Sequence, residues 1–264
     1  MSHSKHNART LIIDLLLASG GQSLSVKQLV NAAQIFAISE NSIRVAVTRL
    51  LKENKIESTE RGIYQLSKAS YEWASIILDR AHGIKATKQW NQQYLAVFTN
   101  AFGRVDRTAL ARRERALQYF GFCELETGIY IRPDNLSSTL DEIFKQLIER
   151  GLELDAKICM IQRFDEQTTL SIPNLWNIKK LNQNYQKYNQ QLELWFANLA
   201  ALSPTDAARE SFLLGRETIV LLMKDPLLPE SFIDVLLRQK FIENVLHLDK
   251  IGQEIWHTLN KSLK

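Results

Sequence analysis

Between positions 41 and 52 the chain carries Asn41, Ser42, Arg44, Val45, Thr48, Arg49 and Lys52. These side-chain types read base-pair edges. A guanidinium fork matches guanine, a carboxamide matches adenine, and Val or Thr methyls touch the thymine methyl. At helical spacing they share one face, while Ile43, Ala46, Val47, Leu50 and Leu51 cluster on the opposite one. Ser39 is placed to cap such a helix, and Glu40 meets its positive end. A plain solvated helix face has a similar composition, so the surrounding elements must decide. Other chemistry is poorly supplied. Cys123 and Cys159 form no metal pattern and no disulfide framework, which fits a reducing cytoplasm. The five His lack H-x-x-x-H spacing, and there is no G-x-G-x-x-G and no P-loop. No catalytic group, metal or cofactor is expected.

The elements around this helix have a recognisable order. Ala8 to Ser19 has an apolar face of Leu11, Ile12, Leu15 and Leu16, with Gly20 and Gly21 where a left-handed cap would sit. Ser25 and Gln28 make a capping-box signature that opens a second helix with Val26, Leu29, Val30 and Ala33 inward. Phe36 and Ile38 fill a short turn before Ser39. Beyond the third helix, Ile56–Thr59 and Ile63–Leu66 are strands joined through Glu60, Arg61 and Gly62. Three helices and a hairpin with Arg61 at its tip is the winged-helix order, and Arg61 is the expected phosphate contact. Ser67 then starts another helix, with Tyr71, Trp73, Ile76 and Ile77 apolar.

The charge distribution agrees. Residues 1–90 hold 12 Lys and Arg against 7 Asp and Glu, whereas residues 91–174 hold 10 against 12. A basic excess on one domain is a footprint of polyanion binding. No run of 18 apolar residues exists, so no transmembrane helix is expected, and the polar start predicts no secretory signal.

The rest divides in two. Tyr94–Phe98, a helix from Asp106 to Tyr119, strands Gly121–Leu125 and Ile129–Arg132, a helix from Leu136 to Arg150 and a strand Lys157–Ile161 give β-α-β-β-α-β, a ferredoxin-like order. From Ile178, apolar residues recur in heptads through Leu181, Tyr185, Tyr188, Leu192, Trp195, Leu199 and Leu202, read as a long helix packed in its own domain. Ser203-Pro204 opens another helix, Asp225-Pro226-Leu227-Leu228-Pro229 breaks the chain, and one or two helices follow. The expected fold class is therefore α+β multidomain. It comprises a winged helix-turn-helix over 1–90, a ferredoxin-like middle domain over 91–174 and a helical C-terminal domain over 175–264.

Glu114 to Leu136, with Tyr119-Phe120-Gly121-Phe122 and Arg132-Pro133-Asp134-Asn135 inside it, resembles the central signature of the PaaX family, repressors of phenylacetic acid degradation and their relatives. Asp225–Pro229 resembles that family's C-terminal motif, and Ser39–Leu50 its recognition segment. The resemblance implies a cytoplasmic, homodimeric DNA-binding repressor of phenylacetate catabolism, released from a double-stranded operator by a small acidic effector such as phenylacetyl-CoA or another aryl-CoA thioester. A phosphate-bearing effector needs cations, for which Arg104, Arg107, Arg112, Arg113 and Arg115 are the candidates. Two alternatives stay open: a metal-dependent nuclease using the middle domain, although its first strand ends Phe98-Thr99-Asn100 without a carboxylate, and a winged-helix adaptor for protein contacts.

Overall fold

A computed structural model describes residues 7–19, 22–68, 70 and 87–262. The chain is mixed α/β, with two small antiparallel sheets and a helical C-terminal region. It divides into two compact units: Met1–His82 with Leu192–Ile219 and Asn244–Lys264, and Gly83–Gln191 with Val220–Glu243.

In the first unit, α1 (Ala8–Ala18) starts at Asn7, whose side chain accepts from the Thr10 N–H. Helix α2 (Val26–Ile35) opens with the expected capping box, in which Gln28 N–H donates to Ser25 Oγ and Ser25 N–H to Gln28 Oε1. Helix α3 (Glu40–Lys52) follows a tight turn. Ala37 there has φ +55, and the N–H groups of Ala37 and Ile38 donate to Gln34 and Ala33 to close α2. Strands β2 (Ile56–Glu60) and β3 (Ile63–Leu66) form the hairpin, and β1 (Leu24–Ser25) adds to β3 to give the order β1-β3-β2. Leu11, Ile12, Leu29, Ile43, Leu50 and Ile56 are fully buried at the centre of this unit. The expected Gly20-Gly21 cap and the helix with Tyr71, Trp73, Ile76 and Ile77 lie outside the described residues.

In the second unit, β4 (Tyr94–Phe98), α4 (Arg107–Tyr119), β5 (Cys123–Glu126), β6 (Ile129–Pro133), α5 (Leu140–Glu149) and β7 (Lys157–Ile161) occur in the expected sequence. The sheet order is β5-β6-β4-β7, and every neighbouring pair is antiparallel. Two elements start more than one residue from expectation. Helix α5 begins at Leu140 because Thr139 and Glu142 form a capping box, while Leu136 is buried at a bridge to Thr87. Strand β5 begins at Cys123 because Gly121, at φ +74, and Phe122 first close α4, donating to Gln118 and Leu117. A short helix α6 (Glu166–Ser171) leads to three long ones, α7 (Ile178–Asn198), α8 (Pro204–Met223) and α9 (Val235–Ser262), whose residues belong partly to each unit. The heptad face of α7 is used internally: Tyr185, Leu192 and Trp195 are buried, and Tyr185 packs on Phe241.

A buried polar network ties this second unit together. Arg132, 1% exposed, donates to the carbonyls of Phe120 and Pro133 and to Asn135 Oδ1. Asn135 Nδ2 donates to the Leu227 carbonyl at 2.7 Å. Leu227 N–H and Tyr185 OH donate to the two carboxylate oxygens of Asp225, and Arg238 donates to the Leu228 carbonyl. Burial and the Asp225 charge hold the Tyr185 phenol protonated, well above its ordinary range. Leu227 sits at φ +54, costly for a branched side chain and held by these bonds. A Cβ on Gly121 would come within 2.5 Å of the Pro226 carbonyl. Gly121→Ala therefore combines left-handed strain with a backbone clash and is expected to cost about 2–4 kcal/mol in urea unfolding. An unchanged midpoint would contradict this.

Candidate nucleic-acid interface

Helix α3 is positioned by its inner side. Ile43, Ala46, Val47 and Leu50 are buried. Ser39 Oγ accepts from the Ser42 N–H and lies 2.8 Å from the Ser42 hydroxyl. At the other end Glu53 caps the helix and accepts from Arg9 of α1 at 2.7 Å. Arg49 and Lys52 stand in the last turn, where the helix dipole favours cations.

The outer side carries every residue expected there. Asn41, Ser42, Arg44, Val45, Thr48, Arg49 and Lys52 are all exposed. Val45, 43% exposed, is an apolar group held out in water beside two arginines. Thr48 Oγ1 donates back to the Arg44 carbonyl at 3.1 Å, which occupies the hydroxyl and leaves the methyl for contact. Arg44 Nε donates to Glu40 Oε1 at 2.8 Å. An exposed pair at this spacing is worth about 0.3–0.5 kcal/mol, so a guanine edge or phosphate outcompetes it.

Arg61 is exposed at the turn of the β2–β3 hairpin, where Gly62 takes φ +79. A bulge lies between Ser58 and Glu60, and the Ser58 hydroxyl donates to the Glu60 carbonyl at 2.6 Å. Glu57 accepts from Gln65 across the hairpin.

The other candidate cations lie on or near α4. Arg113 is buried, donating through Nε and a terminal nitrogen to both oxygens of Glu153, with Phe102 under its guanidinium at 5.2 Å. Arg104 donates to Glu124 at 2.7 Å, which raises its already high pKa. Arg107, Arg112 and Arg115 are exposed, and Arg115 Nε donates back to the Ala111 carbonyl. Burial pushes the Cys123 thiol up to about 11, the opposite of what a nucleophile needs. Among the described residues no group of three His, Cys, Asp or Glu is placed to hold a metal, and no helix is long and apolar enough to cross a membrane.

Comparison with known proteins places this arrangement. The family model of the PaaX-like protein matches residues 7–70, and that of the PaaX-like protein C-terminal domain matches residues 176–258. The chain belongs to the PaaX family. Members of that family are transcriptional regulators rather than enzymes, and nothing supports the nuclease reading. Comparison with curated proteins gives no match. Among solved structures, an uncharacterized protein from Mycobacterium tuberculosis is 19% identical, with 94% of this chain and 98% of that chain covered and a TM-score of 0.60. A likeness at that identity shows the fold alone.

Two long-range contacts that the sequence pattern did not show reach α1 and the α2–α3 turn. Phe36 packs on Phe212 of α8, and Asp14 of α1 faces Arg216 of the same helix. Arg216 Nε lies 2.9 Å from Asp14 Oδ2, a contact of charges in which that oxygen has no aligned hydrogen-bond donor. Burial pushes the Asp14 carboxyl up from 3.8 to about 6, with the Arg216 charge pulling the other way. A raised acid favours the protonated form in the fold. Its contribution is thus most favourable below pH 3.8 and is lost as pH rises to about 6. Asp14→Asn removes this titration. The stability difference, mutant minus wild type, should grow across that window by up to about 3 kcal/mol and level off above it. Urea unfolding of both proteins along a pH series reads this directly, and a flat or falling difference would contradict it.

Proposed function

We propose that this protein is a DNA-binding transcriptional repressor of phenylacetate catabolism, acting in the cytoplasm as a homodimer on a double-stranded operator. Helix α3 enters the major groove with Asn41, Ser42, Arg44, Val45, Thr48, Arg49 and Lys52, and Arg61 meets a phosphate from the β2–β3 wing. The observation that carries the reading is the exposed row on α3, whose orientation its buried side fixes. In this reading residues 1–90 are a winged helix-turn-helix. Residues 91–174 are a ferredoxin-like domain, supported by the antiparallel order β5-β6-β4-β7. Residues 175–264 are the helical C-terminal domain.

Release from DNA follows binding of a small acidic effector, an aryl-CoA thioester such as phenylacetyl-CoA, that prefers the conformation weak in DNA binding. Arg107, Arg112 and Arg115 are the cations available to its phosphates, since Arg104 and Arg113 are already paired with Glu124 and Glu153. A winged helix alone binds a short site weakly, and a dimer engages two half-sites about one helical turn, or a multiple of it, apart. Sedimentation should give a species of twice 30.4 kDa, and a monomer alone at micromolar concentration would contradict this.

The central test starts with selection of a duplex from a random-sequence pool. Arg44→Ala or Arg49→Ala should then cost about 1–3 kcal/mol on that duplex and relax its preference at one base. Arg61→Ala should weaken all sequences alike and lower the salt slope by about 1. Folded Arg44→Ala and Arg49→Ala proteins that both bind like wild type would exclude α3 as the reader.

A further inference from the structure

The α2–α3 turn is not held by its own helices alone. Ala37 takes φ +55, a left-handed conformation that alanine disfavours and that surrounding contacts must maintain. Phe36, immediately before it, is half-buried. Its ring centroid lies 5.3 Å from that of Phe212 on α8, with the planes at 59°. Phe212 in turn lies 5.9 Å from Trp256 on α9, at 61°. One helical turn along α8, Arg216 meets Asp14 of α1. A single helix from far along the chain thus grips α1 and the turn that precedes α3. From Phe36 only Ala37 and Ile38 intervene before Ser39, the cap of α3. Such a tether is too short to absorb a displacement of the ring without shifting the first turn of α3, where Asn41 and Ser42 stand, with Arg44 and Val45 in the turn that follows.

We infer that Phe212 and Trp256 are positioning residues for DNA recognition: packed edge-on behind Phe36, they hold the α2–α3 turn in the conformation that presents α3. This rests on α3 being the DNA-contacting helix, as proposed above. Neither aromatic residue touches DNA. They act by raising the fraction of molecules in which α3 is set for binding, and apparent affinity scales with that fraction. Loss of an aromatic pair of this kind corresponds to about a three- to tenfold change in an equilibrium.

The test uses full-length Phe212→Ala, Phe212→Leu and Trp256→Ala, titrated with the duplex selected by wild type at several salt concentrations, with hydrogen exchange of the amides from Ile38 to Arg44 in the free proteins. Phe212→Ala is expected to bind about three- to tenfold more weakly with an unchanged salt slope, because the phosphate contacts are intact. Its α3 amides should exchange faster, and Phe212→Leu, which keeps bulk but not the ring contact, should fall between Phe212→Ala and wild type in both. Trp256→Ala should show the same pattern more weakly, and it carries the test if Phe212→Ala does not fold. Wild-type affinity in folded Phe212→Ala would overturn the inference, as would unchanged exchange or a lowered salt slope. If wild type selects no duplex, the DNA reading fails, while the exchange measurement still decides whether the aromatic residues hold the turn.

Discussion

The roll of α3 about its own axis is the constraint on which the functional reading depends. Four buried residues, Ile43, Ala46, Val47 and Leu50, set it. Burying a Val, Ile or Leu side chain contributes about 1.5–3 kcal/mol, whereas the exposed Arg44–Glu40 pair contributes about a tenth to a third of that. The core therefore decides how α3 lies, and the polar row follows. A roll of one residue would turn Ile43 or Val47 into water and push an arginine toward the interior, which a low-dielectric core rejects. In the proposed function, the face of α3 that meets DNA is thus specified by residues that do not themselves touch it.

The second unit obeys a different rule, because its most distinctive residues are polar and buried. Gly121, Arg132, Asn135 and Asp225 belong to one set of mutually dependent contacts, together with the Phe120, Leu227 and Leu228 carbonyls. Arg132, Asn135 and Asp225 each satisfy another polar group of the set, so loss of one leaves an unpaired group in a dry site, while Gly121 leaves room for Pro226. This gives a physical account of why the stretches around Gly121, Arg132–Asn135 and Asp225–Pro229 stand out as motifs. They build the unit and close α4 against the Asp225–Pro229 segment. They do not by themselves define a ligand.

Much of this was legible in the sequence, for local reasons. The caps at Ser25 and Ser39 and the apolar periods of α1 to α3 are short-range signals, and the structure has them as read. The order of strands and helices from Tyr94 to Ile161 was legible in the same way. Leu136 extends the apolar pattern toward the N-terminus, whereas the capping box of Thr139 with Glu142, also present in the sequence, sets the start of α5 at Leu140. The apolar run from Gly121 predicts a strand from that residue, but Gly121 at φ +74 terminates α4 and the strand starts at Cys123. The two-residue strand β1 is too short to leave a pattern. Long-range pairings were invisible. Phe36 with Phe212, Asp14 with Arg216 and Arg113 with Glu153 join residues with no sequence relation, and only the fold brings them together. The last pair also shows that belonging to a run of arginines does not leave a cation free for an anion: the carboxylate that holds Arg113 lies 40 residues further along the chain.

The central claim is that the outward face of α3 touches base edges. A photoreactive residue at position 45 measures this most directly, because Val45 sits in the middle of the exposed row and makes no ion pair to lose. Irradiation of the complex with the selected duplex is predicted to join position 45 to a base at a defined position in each half-site. A complex that forms with full affinity yet gives no base cross-link from position 45 would contradict the account.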